Sequence, residues 1–320
     1  MADVLTLAGV SKDFPTHRAV DCVDLSIPAG EFHALVGPSG CGKTTTLRMV
    51  AGFEIPTTGT ILLEGKNVAP LPPHQRNVST VFQNYALFPH LTVRGNVEFG
   101  LRRKREAAPL AQAVREVLEL VRLRGKEDRM PHQLSGGERQ RAALARSLAL
   151  APAVLLLDEP LSALDPNLRK QVRLELKALQ RRVGITFLMV THDQEEALTL
   201  ADRITVMNQG QVEQTGTPRE IYLRPATAFV ARFLGAMNWL EGFGLRPEAT
   251  RIAAGRVPEG ARSMPALVLD STFLGNCIHV LAEMPGGEKV TVEVSRFEGM
   301  YKPGDRVRLW WNEEDELRFK

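Results

Sequence analysis

The sequence predicts an α/β domain with a largely parallel sheet, followed by a small all-β domain. Buried-strand patterns alternate with helical patterns up to about Gly235, an order typical of βαβ units. A glycine-rich loop directly follows one of these strands. Beyond about Gly235, short alternating runs separated by turn residues replace the helices, which indicates a β-barrel or β-sandwich. We therefore expect a first domain at 1–237 and a second, OB-like domain at 238–320.

Composition and charge are those of an ordinary globular protein. The chain has 320 residues, a length that suggests two domains at roughly 100–200 residues each. Its 40 basic and 37 acidic residues give a formal net charge of +3, too balanced for the basic surface of a nucleic-acid binder. The longest apolar run, 148–157, contains Pro152 and is much shorter than the ~20 residues of a spanning helix. Three cysteines and the lack of a signal-peptide pattern favour a cytosolic protein, and leave open one docked on a membrane partner.

The predicted elements of the first domain follow in βα order. Residues 1–27 alternate like strands, and a short apolar strand at 32–36 runs into Gly37. Three further stretches have the pattern of buried strands: 78–82, 153–157 and 185–190. Between about 85 and 150 the pattern is helical, so we expect a helical insert there. In the second domain, strands are expected at 266–269, 277–281, 290–294 and 307–311.

The loop at 37–44 fits the pattern G-x-x-x-x-G-K-[ST], which binds phosphate groups. Its glycines let backbone amides approach phosphate oxygens, and the helix expected from Thr45 adds a favourable dipole. Lys43 can reach the β- and γ-phosphates, and Thr44 offers a hydroxyl to Mg²⁺. We expect Cys41 to be partly accessible without nucleotide, so that modification of its thiol blocks ATP binding. The candidate nucleotide-binding residues here are Gly37, Ser39, Gly40, Cys41, Gly42, Lys43, Thr44 and Thr45.

Two acidic residues, Asp158 and Glu159, follow the apolar strand at 153–157. A buried strand that ends in an acid places the carboxylate at the carboxyl edge of the sheet, where ligands bind in open α/β folds. Asp158 is expected to bind nucleotide through Mg²⁺, which leaves Glu159 free to orient or polarise the attacking water. Phosphoryl transfer depends mainly on positioning and charge compensation. The pair therefore predicts hydrolysis of a bound nucleotide, with Glu159 as a catalytic residue that orients water.

The segment 134–141, LSGGERQR, combines a helix start with two glycines. Ser135 and Glu138 match a capping box before a helix expected at 139–150. A cap needs only one residue, so Gly136 and Gly137 indicate that a phosphate approaches the helix amides. Because the chain already has a phosphate loop, this second anion-binding helix start is expected to serve a nucleotide held by another copy.

With these motifs the sequence resembles the ATP-binding subunits of ABC transporters, over nearly the whole chain. Residues 134–140 are similar to that family's LSGGxQ signature. The resemblance implies a P-loop ATPase domain and a head-to-tail homodimer that holds two ATP molecules with Mg²⁺. Each phosphate loop then faces the partner's signature, whose residues acting in trans are Ser135, Gly136, Gly137 and Glu138.

Four single residues occupy further positions of the family pattern, and their roles are implied by the resemblance. Phe14 corresponds to the aromatic residue that stacks on adenine, and Gln83 to the Q-loop glutamine that contacts Mg²⁺ and water. Asp165 lies in the segment similar to the D-loop at the dimer interface, and it also suits a helix N-cap. His192 corresponds to the catalytic switch histidine at the γ-phosphate. The implied metal-contacting residues are Thr44, Gln83 and Asp158.

The second domain favours an importer. Arg246-Pro247-Glu248 resembles the start of the regulatory, TOBE-type β-domain in importers of the maltose, polyamine and ferric-iron type. Only a few residues, 238–243, precede that motif here, so one lobe is expected to be shortened. Regulation, dimerisation and ligand binding remain open for this domain. Oligonucleotide binding is disfavoured because a basic, aromatic-rich face is lacking.

The segments 81–90 and 237–239 are similar to the polyamine-importer subgroup, which suggests spermidine or putrescine as solute. Ferric iron, phosphonate, sulfate and sugar stay open, since other subunits select the solute. A soluble non-transport ABC ATPase is less favoured, and the signature disfavours a phosphate-loop kinase or GTPase. The resemblance implies a transmembrane permease that docks near Gln83–His90, and indirectly a solute-binding protein, but no nucleic acid. The expected location is the cytoplasmic face of the plasma membrane.

Overall fold

The computed structural model describes residues 2–102, 110–253, 256–299 and 301–319. The chain divides into two compact units, Met1–Ile221 and Tyr222–Lys320. This division falls before the boundary predicted at 237/238. Within the described ranges, no helix is long and apolar enough to cross a membrane.

The first unit contains two sheets and their connecting helices. In chain order its elements are β1 (Asp3–Phe14), β2 (His17–Pro28), β3 (Phe32–Val36), α1 (Lys43–Ala51), β4 (Thr58–Leu63), β5 (Lys66–Asn67), β6 (Val78–Val81), α2 (Val93–Leu101), α3 (Leu110–Leu120), α4 (Gly136–Leu148), β7 (Val154–Asp158), α5 (Pro166–Val183), β8 (Thr186–Thr191), α6 (Gln194–Leu200), β9 (Arg203–Asn208) and β10 (Gln211–Gly216). Helix α7 (Pro218–Leu223) spans the division between the units.

The central sheet has the order β10-β9-β3-β8-β7-β6. Strands β9, β3, β8, β7 and β6 are parallel, and β10 is antiparallel at the edge. Strands β3 and β8 are buried throughout, which explains their uninterrupted apolar character. Because the strands are parallel, the segments that follow β3, β6, β7 and β8 emerge at one edge of the sheet. A second, antiparallel sheet has the order β2-β1-β4-β5.

In its described residues, the predicted helical insert contains the packed helices α2, α3 and α4. Helix α4 contacts α2 and α3, and it also lies against β6 of the central sheet. Buried Asn96 organises the entry to the insert, because its side-chain amide donates to the carbonyls of Phe88, Leu91 and Thr92. Residues 103–109 of the predicted insert lie outside the described residues.

The described residues of the second unit form mainly β-strands. Its elements are α8 (Ala228–Phe233), β11 (Asn238–Leu240), β12 (Phe243–Leu245), β13 (Arg251–Ala253), β14 (Arg262–Phe273), β15 (Cys277–Glu283), β16 (Lys289–Ser295) and β17 (Arg306–Trp311). Four of these strands, β14 to β17, were predicted, and together with β13 they form an antiparallel sheet in the order β13-β17-β14-β15-β16. Backbone of the 238–247 segment continues the β16 edge, since Glu293 N donates to Pro247 O at 3.0 Å. The predicted OB-like character is confirmed.

Candidate nucleotide-binding and hydrolysis site

The phosphate loop connects β3 to α1, and its glycines are required by close packing. A Cβ on Gly42 would lie 2.4 Å from Ala19 O, and one on Gly37 would lie 2.2 Å from Met207 O. Gly42 also has a φ of 101°, a left-handed conformation that glycine adopts without strain. Helix α1 begins at Lys43, two residues before the predicted start at Thr45, so the lysine itself belongs to the first turn.

The ammonium of Lys43 is buried inside this loop. Its Nζ donates to the carbonyls of Gly37 and Pro38, both at 2.8 Å. No carboxylate within the described ranges forms an ion pair with it, and its partners are these main-chain oxygens and, more weakly, Cys41 Sγ. A buried cation without a counterion, next to the amino end of a helix, is suited to a polyphosphate. The loop therefore fits the nucleotide that the sequence predicts.

The expected accessibility of Cys41 is wrong for this conformation. The residue is only 3% exposed and belongs to the apolar core. Its Sγ lies 3.6 Å from Lys43 Nζ, and a Cβ built on Gly37 would come within 2.5 Å of that sulfur. The side chain points inward because Gly37 lacks a Cβ at this point. Burial of the thiol limits its reaction with reagents.

The two carboxylates at the end of β7 are held in different ways. Asp158 is the last residue of the strand, whereas Glu159 follows it with φ of 45°, a left-handed conformation that is rare for glutamate. The N–H of Glu159 donates to Val190 O of β8 at 3.0 Å, which keeps the strained turn in place. Strained backbone of this kind clusters at functional sites.

The structure brings three predicted residues together around the Glu159 carboxylate. His192 Nδ1 lies 3.1 Å from Glu159 Oε1, and Gln83 Nε2 donates to Oε2 at 3.4 Å. Gln83 follows β6 and His192 follows β8, so the parallel sheet delivers all three to one edge. If Glu159 exchanges its contact with His192 or with Gln83 for a water molecule, the carboxylate can hold that water against a phosphate.

Electrostatics at Asp158 favour a cation. Burial raises the pKa of the Asp158 carboxyl, and the neighbouring Glu159 charge raises it further, while Arg48 has a smaller opposite effect. A buried carboxylate whose charge is disfavoured in this way is stabilised by a divalent ion. The oxygen donors predicted here, on Asp158, Thr44 and Gln83, are of the type that Mg²⁺ prefers. The residues present therefore fit a magnesium ion.

Sequence reasoning missed several polar residues of the same cavity. They end β8 or follow β7 and β8, and they line the cavity together with Gln83, Glu159 and His192: Ser162, Arg169, Thr191, Asp193 and Glu196. Asp193 caps α6 by accepting from Glu196 N at 3.1 Å, and the buried Glu196 carboxylate accepts from Thr191 Oγ1 at 2.7 Å. The D-x-x-E pattern at 193–196 is a helix-start signal that would have pointed to them.

The signature segment is a regular helix start whose polar groups bond locally. Ser135 Oγ accepts from Glu138 N at 3.3 Å, and Glu138 Oε2 accepts from Ser135 N at 2.8 Å, so the predicted capping box is confirmed. Glu138 also forms an ion pair with Lys126. Helix α4 begins at Gly136, earlier than the predicted 139–150, and ends at Leu148. The predicted trans role of Ser135, Gly136, Gly137 and Glu138 stays a prediction.

Two other predicted residues have clear local roles. Asp165 Oδ1 accepts from Leu168 N at 3.0 Å, which confirms it as the N-cap of α5. Phe14 ends β1, and its half-buried ring stacks on His17 with centroids 5.5 Å apart. The interface role of Asp165 and the adenine-stacking role of Phe14 remain predictions.

The segment at 83–90 has an unusual backbone at Tyr85 and Ala86, where Arg146 binds both carbonyls. Tyr85 and Ala86 have positive φ, at 63° and 44°. Arg146 of α4 donates to Ala86 O at 2.5 Å and to Tyr85 O at 3.1 Å, and its guanidinium carbon lies 5.5 Å from the centre of the Phe88 ring. The segment borders a groove lined by Phe82, Ala86, Phe88, Phe99, Arg146 and Leu150.

Comparison with known proteins identifies the class. The family model for ABC transporters matches residues 20–162, and the model for the TOBE domain matches residues 243–319. A dimeric ATP-binding cassette, solved in a post-hydrolysis state bound to ADP and phosphate, is 33% identical with a TM-score of 0.60; the match covers 67% of this chain and 99% of that chain. The predicted fold is thereby confirmed, and the ATPase domain is a nucleotide-binding one.

Two relatives show which kind of ABC transporter protein the chain is similar to. A spermidine/putrescine import ATP-binding protein from Acidothermus cellulolyticus is 47% identical, over 97% of this chain and 92% of its own length. A sulfate/thiosulfate import ATP-binding protein from Chromobacterium violaceum is 54% identical, over 75% of this chain and 66% of its own length. The chain belongs to the family of ABC transporter ATP-binding proteins and is an ATPase.

Proposed function

We propose that this chain hydrolyses ATP as a head-to-tail homodimer and thereby energises solute import through a separate permease. The observation that carries the proposal is the convergence of Gln83, Glu159 and His192 at one sheet edge, beside a complete phosphate loop. The signature helix start, whose polar groups bond locally, is then available to a nucleotide on a second copy.

The proposed mechanism assigns each step to residues at that edge. Lys43 and the loop amides bind the β- and γ-phosphates, and the Phe14 ring packs on the adenine. Thr44, Gln83 and Asp158 would hold Mg²⁺, which compensates phosphate charge when bound. The Glu159 carboxylate orients the attacking water and accepts its hydrogen bond.

His192 completes this mechanism by contacting the γ-phosphate. Its Nδ1 already lies 3.1 Å from Glu159 Oε1, so the imidazole both orients the carboxylate and can sense the phosphate. ATP shifts the equilibrium between the open and closed dimer, and with it the conformation of the permease. The size of this shift is set by the difference in ATP affinity between the two states. The signature residues of the partner supply that difference.

The docking site for the permease is the segment 83–90. Its left-handed residue Ala86 is exposed next to a groove, the neighbouring Tyr85 is buried beneath it, and Arg146 fixes the backbone of both. Gln83 belongs both to this segment and to the hydrolysis site, so a docked permease helix is coupled directly to Glu159. The chain accordingly works as a peripheral subunit on the cytoplasmic face of the membrane.

Polyamine is the solute that we propose, because the spermidine/putrescine relative matches nearly the full length. The sulfate/thiosulfate relative matches three quarters of this chain, so ATPase similarity alone does not select a solute. The test uses the cognate permease and solute-binding protein in proteoliposomes. We expect spermidine or putrescine to stimulate hydrolysis, whereas stimulation by sulfate, iron or sugar alone would assign that solute instead.

The dimer mechanism is tested with Glu159→Gln, which keeps the site's shape but weakens water activation. In ATP and Mg²⁺, light scattering should report a monomer-to-dimer transition, and turnover should be lost. Glu259→Gln, at an exposed position, is the matched control and should behave as wild type. Adding Ser135→Arg to the first variant should restore the monomer while ATP still binds. A Glu159→Gln chain that binds ATP and stays monomeric would contradict the proposal.

A further inference from the structure

Three potential metal ligands lie together on one face of the C-terminal sheet. Cys277 and His279 alternate along β15, and Glu293 of β16 is the direct cross-strand partner of His279. Ile278, which lies between them, and Val280, which follows His279, belong to the apolar core, so the three ligands share the opposite face. The register of two strands therefore creates the cluster.

The ligand atoms in this cluster are close enough to share one ion. His279 Nε2 lies 3.4 Å from Glu293 Oε2, and the ligand atoms of all three residues lie within 4.8 Å of one another. With zinc–ligand bonds of ~2.0–2.3 Å, a tetrahedral site places neighbouring ligand atoms about 3.3–3.8 Å apart. The histidine and carboxylate already meet that spacing, and the thiol sulfur lies within 4.8 Å of both.

We propose that Cys277, His279 and Glu293 form a Zn²⁺ site. Thiolate sulfur, imidazole nitrogen and carboxylate oxygen are the three donor types that zinc accepts, whereas Mg²⁺ and Ca²⁺ require mostly oxygen. An ordinary cross-strand ion pair accounts for His279 and Glu293 but leaves the adjacent thiol unexplained. The nearest polar contact of that thiol is a weak one, to Asn276 Oδ1 at 3.7 Å.

Exposure gives the site a solvent side and a buried side. Cys277 is 7% exposed, while the side chains of His279 and Glu293 are 35% and 41% exposed. The ion can enter past the histidine and carboxylate and reach the thiolate at the buried end. Three protein ligands leave a fourth position for water or a small ligand. Because the ligands come from two strands, bound zinc links β15 to β16 and stabilises the native second unit.

The proposal is tested on the full chain after removal of metals with a chelator. Zinc titration followed by filtration and metal analysis should give one tightly bound ion per chain. Cys277→Ser and Glu293→Gln should each weaken zinc binding by at least about 10-fold. Loss of a residue that only supports a zinc ligand already costs about 10- to 100-fold in affinity, and these two residues are proposed as ligands. Cobalt(II) should produce a thiolate charge-transfer absorption in the wild type that Cys277→Ser lacks.

Cys22→Ser is the matched control, because Cys22 is an exposed free cysteine, and it should bind zinc and cobalt as the wild type does. Zinc held by the phosphate loop or by Asp158 would survive in Cys277→Ser and in Glu293→Gln. Equal zinc affinity in wild type and in both variants, or a cobalt complex without thiolate absorption, would overturn the proposal. Should Cys277→Ser fail to fold, the exposed Glu293 carboxylate supplies the deciding variant.

Discussion

Glu159 illustrates how a residue's role can depend on backbone geometry as much as on side-chain chemistry. Its acidic character and its place after a buried strand are visible in the sequence. Its φ of 45° is not, because that conformation is imposed by the bond from its N–H to Val190 O of a strand that is distant in sequence. The turn aims the carboxylate at His192 and Gln83, so the strain contributes to positioning.

Asp158 is predicted to lower stability in the nucleotide-free protein. Burial and the Glu159 charge raise its pKa. At neutral pH the folded protein therefore keeps the Asp158 carboxylate charged in an unfavourable environment, which lowers the free energy of unfolding. Asp158→Asn should therefore raise the melting temperature of the nucleotide-free protein. The same change should lower Mg²⁺-dependent hydrolysis by at least ~10²-fold, because the ion supplies several kcal/mol of charge stabilisation. Differential scanning fluorimetry and a phosphate-release assay measure the two effects.

The pH dependence of that stability gain has a definite sign. A carboxyl whose folded pKa is raised destabilises the fold above that pKa, and the penalty disappears as the pH falls through it. The difference in melting temperature between Asp158→Asn and wild type should therefore shrink on acidification. Exposed Asp3→Asn is the control and should show no comparable gain. A difference that widened toward low pH would contradict the electrostatic explanation.

At the level of elements, the strands were easier to predict than the helix starts. Buried parallel strands such as β7 and β8 are continuous apolar runs, so the sequence indicates them directly. Helices α1 and α4 begin earlier than predicted because glycine-rich segments hide their first turns. The burial of Cys41 could not be predicted, since it depends on the space that Gly37 leaves for the sulfur.

Arg246 joins helical and β elements of the second unit. The sequence identifies it only as part of a family-like motif, but the structure buries its guanidinium. The guanidinium donates to the carbonyls of Ala231, Ala236 and Tyr222 at 3.0 to 3.3 Å. Tyr222 Oη in turn donates to Glu248 at 2.6 Å, and burial together with this bond raises the pKa of Tyr222 to about 12.

We expect Arg246→Met to destabilise the second unit by about 2–4 kcal/mol, because several buried carbonyls lose charge-assisted hydrogen bonds. Urea denaturation followed by tryptophan fluorescence measures this change. Arg251→Met is the control: its guanidinium carbon lies 4.8 Å from the centre of the Trp310 ring at an exposed site, so its loss should cost under ~1 kcal/mol. Equal costs for both variants would show that the buried carbonyl contacts do not stabilise the unit.

The whole molecule contains every group of the proposed hydrolysis site but needs a second copy to use them all. The parallel sheet delivers Gln83, Glu159 and His192 to one edge. The glycines of the signature serve no obligatory local packing: a Cβ on Gly136 would meet only the flexible Leu164 side chain, at 3.2 Å. The sequence motifs predicted each half of the site, whereas pairing between chains is a property that one chain cannot display.

Mixed dimers test that pairing. Lys43→Ala removes the phosphate contact of one chain, and Ser135→Arg blocks the signature of the other, so each homodimer should be inactive. In a mixed dimer, the intact phosphate loop of the Ser135→Arg chain faces the intact signature of the Lys43→Ala chain. When the two variants occupy the two positions on the permease at random, an equimolar mixture gives mixed pairs in half of the complexes, each with one complete site, and should recover about a quarter of wild-type hydrolysis.

The dependence of hydrolysis on the ratio of the two variants distinguishes a site completed by the partner's signature (in trans) from one completed by the chain's own signature (in cis). If each chain used its own signature, both variants would carry a defective site and the mixture would stay inactive at any ratio. With trans pairing, activity should instead follow the product of the two variant fractions and reach its maximum at equal amounts. A mixture of Lys43→Ala with Glu159→Gln is the control: both changes remove groups of the same half-site, so no mixed dimer regains a complete site and hydrolysis should remain absent.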